Sequence, residues 1–195
     1  MRLRRRLVRR IATSRGDPPR FRRASPCYGG LTESLLIITG TMGAGKTAVL
    51  GEASDILTQR RIVHAAIDLD AFGLAHLPAA IPIDDVMYDN LRSVCRNYAT
   101  QGVQRFLVAR AMEDAGRLKL CREMIPAVNT VVCRLTANLE TMERRVQQRD
   151  SGMSQRELAA RVAILNAILD RARLEDFAAT ITRTRRSAKG INSPR

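Results

Sequence analysis

The stretch LLIITGTMGAGKT (residues 35–47) decides how the rest of the chain is read. Its first five residues form a short, continuous apolar run rich in branched side chains, the pattern of a strand buried on both faces. The next eight, Gly40 to Thr47, match the spacing Gly, four residues, Gly, Lys, Ser or Thr. AVLGEASDILTQRR (48–61) then reads as a helix. Strand, glycine-rich loop and helix in that order form a cradle for phosphate: backbone N–H groups point inward and the helix presents its positive end. Gly40, Gly43 and Gly45 supply positive φ and close approach. Lys46 can reach β- and γ-phosphates, and the Thr47 hydroxyl can reach Mg²⁺. The candidate nucleotide-binding stretch is therefore Gly40, Thr41, Met42, Gly43, Ala44, Gly45, Lys46, Thr47 and Ala48. The chain has three lysines against thirty arginines, and one of the three falls on this position. With these frequencies a chance match is on the order of one in a thousand.

Alternation continues outward. RIVHAAI (61–67) reads as a second buried strand, and 71–83 reads as a loop carrying Gly73, Pro78 and Pro82. Asp84 is placed to N-cap a helix running to about Tyr98. QRFLVA, NTVVCRL and DFAATIT read as three further strands, with helices between them over 112–125, 139–149 and 154–172. Asn138 caps the first turn of LETMERRVQQR, whose Leu139, Met142 and Val146 share a face. Ser154 and Glu157 form a capping box. Five strands alternating with helices predict an α/β domain with a mostly parallel sheet.

The net charge of +14 is concentrated at the ends. Residues 1–34 hold ten arginines against Asp17 and Glu33, and 183–195 hold four arginines and Lys189 with no acid. The expected organisation is a basic, disordered extension (1–34), one nucleotide-binding domain (35–182) and a basic tail (183–195). The first segment lacks the long apolar centre of a secretory signal; its Arg-rich, acid-poor composition leaves open a targeting peptide or a membrane-surface helix. Basic ends around a near-neutral middle, with 4% aromatic residues and no Trp, speak against nucleic acid as the partner. No apolar run approaches a membrane span, and Cys27, Cys95, Cys121 and Cys133 lack metal-ligand spacing; buried free thiols in a reducing cytoplasm are expected.

Asp68 and Asp70 stand where the second strand ends. Period-two alternation puts both on one face, with Leu69 opposite. Ligands of open parallel sheets bind beyond the carboxyl ends of the strands, so two carboxylates are expected beside the phosphate loop. Such a pair repels itself unless a cation or a hydroxyl lies between. Asp68 is assigned to the Mg²⁺ side, through water, and Asp70 to an acceptor hydroxyl as orienter or general base.

With these motifs the chain resembles the P-loop small-molecule kinases, the group that includes shikimate, gluconate and adenylyl-sulfate kinases and chloramphenicol phosphotransferase. The resemblance spans roughly residues 35–182 in element order. It implies the P-loop NTPase fold with strand order 2-3-1-4-5, ATP and Mg²⁺ as cofactors, and transfer of the γ-phosphoryl group to a small-molecule alcohol. It also implies a lid opening near 139–152, with Arg145 and Arg149 on one helix face touching the transferring phosphoryl group, Arg144 alongside and Gly152 as hinge. The same arginines read equally as a solvated helix face. Arg110 is a candidate grip for an anionic acceptor, and Glu113 and Asp114 are either Mg²⁺ neighbours or helix-start acids. QRFLVA ends without a carboxylate, which argues against motor-type ATPases. TRTRRSAKGINSPR departs from the family pattern, which has a closing helix there; a weakened or inactive relative, with one sheet flank uncovered, is the expectation that follows. The alternative reading is a nucleotide-binding or hydrolysing regulatory protein without an acceptor.

Overall fold

The computed structural model describes residues 32–149 and 155–181; side chains are described for 32–148 and 160–181. Five strands, β1 (Thr32–Thr39), β2 (Ala65–Asp68), β3 (Arg105–Ala109), β4 (Ala127–Thr136) and β5 (Phe177–Thr180), form one sheet of order β2-β3-β1-β4-β5. All four pairings are parallel. Both the expected order and the expected direction are found. The helices are α1 (Lys46–Gln59), α2 (Ile83–Thr100), α3 (Ala115–Met124), α4 (Leu139–Arg149) and α5 (Gln155–Ala172). Among the described residues, no helix is long and apolar enough to cross a membrane.

Alternation along β1 sorts the core. Leu36 and Ile38 face Leu50, Ala53 and Leu57 of α1, whereas Leu35 and Ile37 face Met87, Leu91 and Cys95 of α2 and Leu118 and Cys121 of α3. All four β1 side chains are at most 3% exposed. Burying each contributes about 1.5–3 kcal/mol, which is why a strand covered on both faces reads as an unbroken apolar run.

Three expectations about local structure are corrected. β2 begins at Ala65 rather than at residue 61, because Arg61 adopts φ 56° after α1 and its neighbour Ile62 donates back to the Leu57 carbonyl at 2.9 Å. This is a helix-closing turn with Arg where Gly is usual. His64 is pinned there between the Ser54 hydroxyl and the Ile62 carbonyl, both at 2.8 Å. Next, Asp84 is not the cap of α2: the N-cap is Pro82, and Asp84 lies inside the first turn with its carboxylate taken by two guanidinium groups. Finally, α3 begins at Ala115 rather than at residue 112, with Asp114 in the helix-start role expected of it: it is the N-cap, accepting from the Arg117 N–H at 2.9 Å. Asn138 does cap α4, accepting from the Glu140 N–H at 2.9 Å. Met142 and Val146 are buried, but Leu139 is 41% exposed and sits outside that apolar face. The Ser154–Glu157 capping box, Gly152, Cys27 and the 182–195 segment lie outside the described residues or side chains.

Candidate active site

The parallel register brings Ile38, Asp68 and Ala109 to one level, so β1, β2 and β3 end on the same edge. The phosphate-loop motif leaves β1 at that edge. Gly40, Gly43 and Gly45 all have positive φ, at 150°, 75° and 97°. Their reasons differ. A Cβ on Gly43 would lie 2.4 Å from the Met142 carbonyl oxygen, so this glycine lets the loop touch the α4 backbone. A Cβ on Gly45 would meet no heavy atom within 4 Å; here the requirement is the backbone turn that starts α1. That start has no side-chain cap and no acid in its first turn. Its N–H groups face an open, positively biased space, which fits a phosphate.

Lys46 is 9% exposed and lies back along its own loop, its Nζ 3.4 Å from the Thr41 carbonyl and 4.0 Å from Asp70 Oδ2. Thr41 is itself buried, and its hydroxyl donates to the Val162 carbonyl at 3.3 Å, tying the loop to α5. The Thr47 hydroxyl donates to Asp68 Oδ2 at 2.7 Å. A hydroxyl and one carboxylate are hard oxygen donors, and that set fits Mg²⁺ completed by water and phosphate oxygens.

The paired aspartates meet the loop, but not by strand alternation. β2 ends at Asp68, whose Oδ1 accepts the Asp70 N–H at 3.3 Å. That bond folds the chain into a 3-10 turn, Leu69–Gly73, with Leu69 fully buried. Asp70 therefore arrives by a turn, and period two does not apply to it.

Arg110 follows β3 and donates to Asp70 Oδ1 at 2.7 Å and to Asp84 Oδ1 at 3.1 Å. Both terminal nitrogens are thus engaged, so a grip on an anionic acceptor would have to give up one of these pairs. Arg117 binds Asp84 at 3.0 Å and Glu113 at 2.6 Å, with Asp114 at 3.7 Å. Glu113 and Asp114 serve the start of α3 in this way. Arg117 and the turn at Asp70 escaped the sequence reading; the only signal for the former was i,i+4 spacing from Glu113.

On the other side of the loop, Arg145 Nη1 donates to the Gly43 carbonyl at 2.9 Å, so this arginine is at the phosphate loop, whereas Arg144 is exposed. Arg149 closes α4, and its side chain lies outside those described. Among described cysteines, Cys95, Cys121 and Cys133 are free and buried, and burial pushes each thiol up to about 12. Burial likewise pushes the Tyr88 phenol up to about 12, against the opposing pull of Arg110 and Arg117.

No family model and no curated protein matches the chain. Solved structures do. TT1252 from Thermus thermophilus superposes with a TM-score of 0.53 at 16% identity, over 78% of this chain and 91% of that one. A shikimate kinase from Bacteroides thetaiotaomicron gives 0.52 at 14% identity, over 75% and 86%. The APS kinase CysC of Mycobacterium tuberculosis, in complex with AMPPNP and APS, gives 0.51 at 17%, over 80% and 92%. At these identities the likeness shows the fold: five parallel strands and flanking helices, the fold of P-loop small-molecule kinases.

Proposed function

We propose that this chain is an ATP- and Mg²⁺-dependent kinase that phosphorylates a hydroxyl group of a small molecule. The observation that carries the reading is the convergence at one sheet edge of two pairs: Thr47 with Asp68 at 2.7 Å, and Lys46 with Asp70 at 4.0 Å. The first pair would help hold a Mg²⁺ that neutralises phosphate charge; the second supports reading Asp70 as the acceptor-side carboxylate beside the cation that would reach the phosphates. In this reading residues 35–182 are the nucleotide-binding unit, and Gly40 to Ala48 hold the phosphates.

Mg²⁺, held by Thr47 Oγ1 and through water by Asp68, would neutralise charge on the phosphate oxygens. Lys46 would turn from the Thr41 carbonyl to the phosphates, offering a compact ammonium rather than a planar guanidinium. Asp70, half-exposed, orients the attacking hydroxyl and takes up its proton as the new O–P bond forms and the bond from the γ-phosphorus to the β,γ-bridging oxygen breaks, ADP leaving. Arg145, one hydrogen bond from the loop, is the side chain nearest to hand for charge that spreads over the transferring group's oxygens. Arg149, one turn further along α4, belongs to the same role.

The test is calorimetric titration of ATP with Mg²⁺ into wild type and Lys46→Ala, with phosphate release followed in the same samples. Binding by wild type that Lys46→Ala loses supports the reading, and Asp70→Asn should then keep binding and lose transfer in a screen of alcohols. Wild type that binds no nucleotide sinks it. Turnover that no alcohol stimulates and that Asp70→Asn leaves unchanged would favour an acceptor-free hydrolase instead.

A further inference from the structure

We propose that Arg110 is a positioning residue: it fixes the rotation of the Asp70 carboxylate and is itself held from behind by Asp84 and Arg117. The proposal rests on the phosphotransfer reading of Asp70 given above.

The backbone of Arg110 is anchored first. Its N–H donates to the Ile38 carbonyl at 3.1 Å, which fixes the residue at the carboxyl edge of the sheet. Its side chain is only 16% exposed and spans two carboxylates from different elements, Asp70 on the turn after β2 and Asp84 on α2. The second oxygen of Asp84 takes Arg117, and Arg117 takes Glu113. The run Asp70–Arg110–Asp84–Arg117–Glu113 therefore alternates in sign along its whole length. It joins the acceptor-side carboxylate to the first turns of two helices.

Asp70 needs such a support. It sits on a single 3-10 turn, its side chain is 51% exposed, and Lys46 Nζ comes no nearer to it than 4.0 Å. A guanidinium is planar and its donors are fixed in a fork, so a 2.7 Å bond to Oδ1 sets where Oδ2 points. Here Oδ2 points toward Lys46 Nζ, the side from which phosphate would be approached. The competing use of Arg110, as the grip for an acceptor anion, requires breaking one or both of these pairs. Its buried Nε has no hydrogen-bond partner, so the position of the side chain follows the two carboxylates rather than satisfaction of its own donors.

The experiment uses the full chain labelled with carboxyl-¹³C aspartate and no ligand, the Asp70 resonance being identified by its loss in Asp70→Asn. Arg110→Lys should move that resonance by more than its linewidth. Asp84→Asn, which touches Asp70 only through Arg110, should move it in the same direction, and the exposed neighbour Asp85→Asn should leave it in place. Turnover of ATP without added acceptor is then measured. Removing an outer partner of a reacting group typically costs 10–100-fold, so Arg110→Ala should lower kcat by about that factor, with KM for ATP within about twofold, and Arg110→Lys should recover part of it. An Asp70 resonance unmoved by both Arg110→Lys and Asp84→Asn overturns the proposal, as does an unchanged kcat in Arg110→Ala. A change in KM for ATP alone overturns it too, by assigning Arg110 to nucleotide binding. If wild type binds no ATP, the phosphotransfer reading falls and takes the proposal with it; if wild type binds and turns over ATP and the variants match it, only the proposal falls.

Discussion

Gly43→Ala should separate the two reasons for glycine in the phosphate loop. The new Cβ would stand 2.4 Å from the Met142 carbonyl oxygen and 2.9 Å from that residue's carbonyl carbon and Cα. All three are backbone atoms of α4, so no side-chain rotation relieves the contact. The left-handed φ of 75° adds its own strain, about 1–2 kcal/mol for a residue with a Cβ. Moving α4 by roughly an ångström is an overpacking change, which costs about 1–3 kcal/mol. The total is about 2–5 kcal/mol, or a fall in Tm of roughly 4–20 °C at about 2–4 °C per kcal/mol for a domain of this size. Gly45→Ala meets nothing within 4 Å. It should show the backbone term alone, about 1–2 kcal/mol and roughly 2–8 °C. Thermal unfolding of both variants without nucleotide, followed by circular dichroism, gives the comparison. Adding ATP with Mg²⁺ should then raise Tm for wild type but not for Gly45→Ala, whose methyl enters the space left for phosphate. If Gly43→Ala loses no more stability than Gly45→Ala, the close approach of loop and α4 is not the reason for that glycine.

Three further outcomes are expected. Thr47→Val should keep the fold and leave the Asp68 carboxylate without its 2.7 Å donor; nucleotide binding should persist weakly but lose its response to added Mg²⁺ in calorimetry. Arg134→Leu should destabilise by about 1–3 kcal/mol in urea unfolding, because a side chain 5% exposed loses a 2.7 Å ion pair with Asp170 and leaves Glu175, 19% exposed, with less compensation. The buried thiols and Tyr88, all pushed up to about 12, hold their protons more tightly when folded than when unfolded. Their contribution is therefore complete below the unfolded values, near 9 for a thiol and 10 for the phenol, and is lost as pH rises toward about 12. Alkaline unfolding should set in within that window, and at pH 8 Cys95, Cys121 and Cys133 should react with a thiol reagent only after denaturation.

The parts of this molecule legible in sequence are those fixed by local chemistry. A five-residue apolar run such as LLIIT has few homes other than a strand covered on both faces, and a glycine loop with Lys46 and Thr47 dictates what must stand before and after it. What escaped depends on partners far along the chain or, at Asp70, on a side chain that caps its own turn. Asp84 sits at a position that suits an N-cap, but Arg110 and Arg117, 26 and 33 residues away, compete for its carboxylate more strongly than one backbone N–H does. Asp70 looks like the next alternate residue of a strand, yet a hydrogen bond from its own N–H to Asp68 ends that strand early. Arg145 was singled out only together with Arg149, by helix spacing and resemblance; what sets it apart is a bond to Gly43, 102 residues away.

These distant contacts share one consequence: the loop is tied down at more than one point. Met142 packs its backbone on Gly43, Arg145 holds the Gly43 carbonyl, and Thr41 bonds α5 through Val162. Lys46, by contrast, rests on the Thr41 carbonyl at 3.4 Å and only approaches Asp70, at 4.0 Å. A contact of that length at a half-exposed carboxylate is weak, since water screens it. The loop itself is held by contacts to two helices, α4 and α5. That arrangement suits phosphate capture, because backbone donors already held in place need no reorganisation when an anion arrives. In the proposed reading, Lys46 would turn to the phosphates and leave Asp70 Oδ2 to the acceptor while Arg110 still holds Oδ1, which would couple filling of the loop to presentation of that oxygen.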